Sequence, residues 1–478
     1  MTYASARKSL AARPLPEWYR RAKLGIFVHW GLYSVPAFAE RTDADYSAFM
    51  RDLTAGTTTA DRIPYAEWYL NSMRVPGSPT AAHHAASYGD RPYADFRSAF
   101  ETGADTLDFA DWARLFAEIG ARYVVMVTRH LDGYPLWPTE IEGSAYRSRR
   151  DLVGDLTRAV REQGLRMGLY YCGGMDWTRR EQPLRTMTDM IRHQALGPDY
   201  ARYAAAQWRE LIDTYRPSIL WNDMGWPAEV DPHEIMAHFY DTVDDGVVND
   251  RWTQPKLPRN RLARAAYLWF IGIVLKAVAK RGIPEPAKDF HYDVATHEYA
   301  TPEVAPTGAW ELTRGLGRSF GYNAEETEAD TLTGAELIHL FADVVAKGGN
   351  LLLNVGPDGA GRIPELQVAP LRALGAWLAR NGAAIYDTTT WERNATTTTA
   401  GVQVRFTRRA DTVFAIVLAD QPSGDVTVRE LRVPPSATVD LVGGPSLRWE
   451  QRDGDLTVRL PGDAAPQAHA YALAITGL

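Results

Sequence analysis

The sequence predicts an α/β protein, a (β/α)8-like barrel followed by a C-terminal antiparallel β-sandwich. Three observations carry this expectation. From about Leu24 to about Asn354, short apolar runs alternate with amphipathic helical patterns, which argues for a parallel sheet. No GxGxxG or phosphate loop follows the first run, so an open nucleotide-binding sheet is disfavoured. Near Asp387 the pattern changes to short alternating runs separated by turn residues. The barrel is placed over residues 1–388 and the sandwich over 389–478.

The barrel strands are read from LGIFVHW (24–30), RYVVMVT (122–128), LRMGLYY (165–171), SILWND (218–223), GVVND (246–250) and NLLLNVG (350–356). Each is short, apolar and rich in β-branched or aromatic residues. Helices fall between them. Phe109, Trp112, Ala113 and Phe116 share a helical face, with Asp108 placed to cap its start and Gly120 to end it. Leu152, Leu156 and Val160 share another face before Gly164. The sandwich is read from VQVRFTRR, TVFAIVLA, VTVRELRV, ATVDLVG, LTVRL and AYALAI, after the Thr-rich hinge TTTWERNATTTTAG. Its expected role is to pack against the barrel.

Composition excludes several classes. A net charge of −7 offers no general basic field for nucleic acid. The single cysteine, Cys172, permits no intramolecular disulfide. The N-terminal stretch has no signal-type apolar core, so a cytoplasmic location is expected. The longest apolar stretch, Ala265–Ala279, is shorter than the ~20 residues that span a bilayer, and no membrane partner is expected. HEY at 297–299 is not HExxH, and His83 and His84 are adjacent, so no metal site is predicted. No cofactor motif is found.

Polar residues gather at the C-terminal ends of the predicted strands. His29, His130, Tyr170 with Tyr171, Asp223, and Asp250 with Arg251 stand there. In a (β/α)8 barrel, catalytic groups converge at that end. Any one of them could be a helix cap or a satisfied core polar group. Five strands ending this way point to a site. The chemistry is carboxylate-based, as glycoside hydrolysis needs one carboxylate at C1 and one acid at the leaving oxygen. Asp223 is the best nucleophile candidate, since it ends an apolar strand between Trp221 and Trp226, two surfaces suited to stacking on sugar rings.

The stretch AKLGIFVHWGLYSVPAFAE resembles the opening signature of glycoside hydrolase family twenty-nine, the α-L-fucosidases. Further matches follow in family order: YAEWY (65–69), ARYVVMVTRHLDGYPLWP (121–138), RDLVGDL (150–156), LRMGLYYCGGMDW (165–177), YRPSILWNDMGWP (215–227), VVNDRW (247–252), WELTRGLGRSFGYN (310–323) and KGGNLLLNVGPDGAG (347–361). The resemblance implies a barrel plus sandwich and a retaining exo-glycosidase that releases α-L-fucose from fucosylated glycosides. It implies Asp223 as nucleophile, and His29, Glu67, Trp68, His130, Tyr171, Trp221 and Arg251 around the sugar. For the general acid/base it favours Glu298 in ATHEY over Glu67, Glu303 and Glu311.

Two departures stand out. The family shows two adjacent histidines in TRHLDG, and here the second position is Leu131. That motivates two alternatives: a related sugar such as an α-L-galactoside, or a non-catalytic sugar-binding protein. The second departure is an insertion at about 253–288, where Leu268, Ile271, Leu275 and Val278 fit one helical face. It is expected to form a helix packed on the barrel flank, or a lid or subunit contact that would make a homo-oligomer.

Overall fold

The computed structural model describes residues 10, 12–42, 46–143, 146–194, 196–254, 257–258, 260–279, 288, 290–462 and 466–478. Eight parallel strands form one sheet in the order β5-β4-β3-β2-β1-β8-β7-β6. They are β1 (Leu24–Val28), β2 (Tyr123–Arg129), β3 (Arg166–Cys172), β4 (Ile219–Asp223), β5 (Val247–Val248), β6 (Ala295–Glu298), β7 (Trp310–Gly315) and β8 (Asn350–Val355). The edges meet through a parallel bridge between Asn249 and Val294, with the amides of Asp293 and Val294 donating to Val248 O at 2.9 and 3.3 Å. The sheet thus curls round on itself as a barrel.

The predicted runs form β1–β5 and β8. Strands β1, β2 and β8 are buried along their whole length, as parallel strands covered on both faces require. The expected cap forms, with Asp108 accepting from Ala110 N, and Asp151, which the sequence reading did not single out, caps the next helix by accepting from Gly154 N.

The C-terminal region holds a five-stranded sheet, β13-β16-β11-β10-β9, facing a three-stranded one, β12-β15-β14. These strands are β9 (Ala395–Thr397), β10 (Gln403–Arg409), β11 (Thr412–Val417), β12 (Gly424–Val428), β13 (Thr438–Leu441), β14 (Arg448–Arg452), β15 (Asp455–Leu460) and β16 (Tyr471–Thr476). Val404, Phe406, Val458 and Leu473 belong to its separate core. It meets the barrel through an Arg405–Asp343 ion pair at 2.5 Å and a bond from Trp377 Nε1 to Ala470 O at 2.9 Å.

The insertion forms a helix, Arg261–Ala279, against the helices Tyr46–Ala55 and Met187–His193. Leu268 is buried, and Ile271 and Leu275 are half-buried, so the expected face points inward. The side chain of Val278 and residues 280–287 lie outside the described residues. The opposite face is apolar too and lies exposed, which the sequence reading did not anticipate.

Candidate active site

The strand ends place their side chains around one cavity of about 130 Å³. By comparison, a single water needs roughly 10–15 Å³. His29 follows β1, His130 follows β2, Tyr170 lies in β3, Asp223 ends β4, Arg251 follows β5 and Glu298 ends β6. The β1–β2 connection adds Glu67 and Trp68 from a 3-10 turn, and Tyr46 and Met50 from the helix Tyr46–Ala55. The residues directly after the two strand-end carboxylates, Met224 and Tyr299, both have left-handed backbone, at φ 57° and 58°. Such sharp reversals cost energy and concentrate at functional sites.

Arg251 organises the pocket. Its Nη1 pairs with Asp223 Oδ1 at 3.2 Å and its Nη2 with Glu298 Oε2 at 3.0 Å. Its Nε donates to Thr296 Oγ1 at 3.0 Å, and that hydroxyl donates to Asp250 Oδ1 at 2.7 Å. The guanidinium lies 4.8 Å from the Trp221 ring centre. Burial opposes its charge, but Asp223 and Glu298 outweigh burial and hold its pKa well above the usual arginine value. One rigid fork therefore spans both carboxylates. Each carboxylate has a second donor: Tyr170 OH to Asp223 Oδ2 at 2.9 Å, and Tyr65 OH to Glu298 Oε1 at 2.8 Å.

The histidines are neutral hydrogen-bonding groups. Burial, and the neighbouring His130, push His29 down to about 3. Burial, and then Arg129, push His130 down to about 3. Asn354 Nδ2 donates to Phe320 O at 2.6 Å, which turns its Oδ1 toward His29 Nδ1, also at 2.6 Å. Nδ1 of His29 is therefore the protonated nitrogen, and Nε2 is left as an acceptor. Nδ1 of His130 is buried with no partner among the described residues. Glu67 accepts from Gly321 N at 2.7 Å, and burial raises its pKa to about 8. It is therefore a protonated carboxylic acid at neutral pH.

Of the expected site residues, His29, Glu67, Trp68, His130, Trp221, Asp223, Arg251 and Glu298 line this cavity. Tyr171 does not. Its hydroxyl accepts from Arg129 Nη1 at 2.6 Å and donates to Gln207 Oε1 at 2.8 Å, on the helix-facing side of β3. Successive strand residues face opposite ways, so Tyr170 takes the inward position. Glu311 is also outside: burial raises its pKa, and it accepts from Tyr19 at 2.7 Å, from Tyr123 and from Trp221 at 3.2 Å inside the barrel. Glu303 is exposed. Leu131 is fully buried in the hydrophobic core and does not line the cavity. Sequence reasoning missed Tyr46, Tyr65 and Phe320. Tyr65 stands in the quoted YAEWY, while no motif marked Tyr46.

The Alpha-L-fucosidase family model matches residues 1–268 and 273–383, and the Alpha-L-fucosidase C-terminal domain model matches residues 395–476. The interruption at 269–272 falls within the helix Arg261–Ala279. An α-L-fucosidase from Branchiostoma floridae is 30% identical over 97% of this chain and 93% of its own length. The tissue α-L-fucosidase of Homo sapiens is 27% identical over 98% and 91%. The crystal structure of the α-fucosidase of Thermotoga maritima in complex with fucose matches with a TM-score of 0.81 at 37% identity, covering 99% of this chain and 100% of that one.

Proposed function

The chain belongs to the α-L-fucosidase family of glycoside hydrolases, and we propose that it releases terminal α-L-fucose from fucosylated glycosides by double displacement, with Asp223 as nucleophile and Glu298 as acid/base. The observation that carries this reading is the Asp223–Arg251–Glu298 bridge at the edge of a cavity of about 130 Å³. Arg251 and Tyr170 each hold one oxygen of Asp223 and so orient its carboxylate for attack on C1. The bond between C1 and the leaving oxygen breaks as Glu298 delivers a proton, and Glu298 then takes a proton from the water that releases fucose. As the pocket stands, Glu298 accepts from both Tyr65 and Arg251; in the acid step one of these contacts gives way to the glycosidic oxygen. His29 Nε2 and protonated Glu67 bond the sugar hydroxyls, and His130 lines the same wall.

A second reading makes Glu67 the acid, because it lines the same cavity and holds its proton at neutral pH. A leaving-group series separates the two. Under the first reading, Glu298→Ala slows glycosides with poor leaving groups far more than activated aryl fucosides, which need no proton. A selective loss in Glu67→Ala with Glu298→Ala near wild type transfers the role to Glu67. Proton NMR of the first-formed sugar tests the double displacement, which yields the α anomer. A β anomer refutes it. The intact carboxylate–arginine bridge argues against a non-catalytic sugar-binding protein.

A further inference from the structure

We propose that the helix Arg261–Ala279 is a docking element for anionic lipid surfaces, lying in the headgroup layer rather than crossing it. Leu262, Trp269, Phe270, Ile273 and Val274 are 81, 71, 57, 48 and 37% exposed along its outer side. A helix apolar all round is normally buried, and here only the inner side is. Exposed apolar patches of several hundred Å² mark interaction sites.

Charge selects the occupant. From Thr253 to Ile283 the sequence has Lys256, Arg259, Arg261, Arg264, Lys276, Lys280 and Arg281 and no acidic residue, in a chain whose net charge is −7. Among the described residues, Arg261 and Lys276 are exposed near opposite ends of the apolar strip. Arg264 and Arg192 both lie near Arg180: burial, and then Arg192 and Arg264, lower the pKa of Arg180. The cationic field therefore extends to Arg180 beside the helix, while Asp189 offsets Arg192.

A second copy of the chain fits worse. A two-fold contact sets the same surface against itself, and each acid-free basic helix would meet another. An anionic bilayer takes both features at once: Trp and Phe settle at the headgroup boundary while Arg and Lys pair with lipid phosphates. No helix among the described residues is long and apolar enough to cross a membrane, and an interfacial helix needs no such length. The expectation of no membrane partner rested on spanning length alone.

Flotation of the full chain with vesicles of phosphatidylcholine and phosphatidylserine tests this. The chain is expected to float with these vesicles, to be released by salt, and to ignore pure phosphatidylcholine. Trp269→Ser with Phe270→Ser should keep the thermal midpoint and lower partitioning by roughly tenfold or more. Arg261→Glu and Lys276→Glu should each lower it by roughly fivefold. Absence of wild-type flotation, or equal flotation of the double variant, overturns the proposal. So does a wild-type dimer in sedimentation velocity that the double substitution dissociates, for then a second copy covers the face.

Discussion

Tyr170→Phe removes one hydroxyl from the pocket and leaves the ring. That ring is stacked with His130 at 5.8 Å and with Trp221 at 5.5 Å, contacts that phenylalanine keeps. The lost bond is the 2.9 Å donation to Asp223 Oδ2. Burial and the Asp223 charge hold the Tyr170 phenol well above its usual pKa, so it is a permanent donor across the working range. A hydrogen bond to a charged group is worth about 1.5–3 kcal/mol, and about 1.4 kcal/mol is a factor of ten in rate. Loss of the donor should therefore lower kcat/KM on an aryl α-L-fucoside by roughly 10- to 100-fold. Tyr171→Phe is the matched control. Its hydroxyl serves Arg129 and Gln207 behind the strand, so that variant should lose thermal stability and keep kcat/KM near wild type. If Tyr171→Phe lowers kcat/KM and Tyr170→Phe does not, the inward face of β3 has been misassigned, and the nucleophile's surroundings with it.

Other perturbations follow from the same geometry. Glu67 is raised from 4.5 to about 8 by burial, so between those values the unfolded chain releases a proton that the folded chain keeps. The Glu67 contribution to wild-type stability therefore falls as pH rises from 4.5 to 8, and Glu67→Gln should gain in unfolding free energy relative to wild type over that window by up to a few kcal/mol; parallel stability–pH curves from denaturant titration would falsify this. Arg251→Lys keeps a charge but cannot reach both carboxylates, so kcat/KM should drop by about 10²-fold or more, and unchanged turnover would show that the bridge is not used. Leu131→His places a polar ring at a fully buried site away from the cavity. It should lower stability by about 1–3 kcal/mol in denaturant titration while the ratio of fucoside to galactoside turnover stays constant; a changed ratio would show that position 131 reaches the sugar.

Six of the eight barrel strands were legible because strands buried on both faces read as continuous apolar runs. The two that were not, β6 (ATHE) and β7 (WELTRG), spend their inward positions on polar work. Thr296 and Glu298 of β6 hold Arg251, and Glu311 of β7 gathers the two phenols and the indole inside the barrel. A strand that supplies a site looks least like a strand. The confusion at Tyr170 and Tyr171 has the same root. In LRMGLYY the more apolar phase, Leu165, Met167, Leu169 and Tyr171, is the one that faces the helices, so period-two alternation pointed to the wrong tyrosine, and the inward phase is fixed only by pairing Tyr170 with Trp221 across β3 and β4. Asp223 and Arg251 escaped that ambiguity, since each stands where an apolar run breaks.

The insertion joins these two levels. It begins just after Arg251, and its return is pinned where Lys288 pairs with Asp250, whose other oxygen holds Thr296 and through it Nε of Arg251. Its helix also backs the elements that carry Tyr46, Met50 and Met190 into the cavity wall. A change in insertion length would therefore move the bridging cation and one wall of the pocket together. A substitution on its exposed face would move neither, because Trp269, Phe270 and Ile273 point away from both contacts. Packing and docking are thus properties of opposite sides of one helix. The apolar period read from Leu268, Ile271 and Leu275 reports only the packing side. The second side is invisible to a search for amphipathicity, because a helix apolar on both faces has no polar face against which to find it.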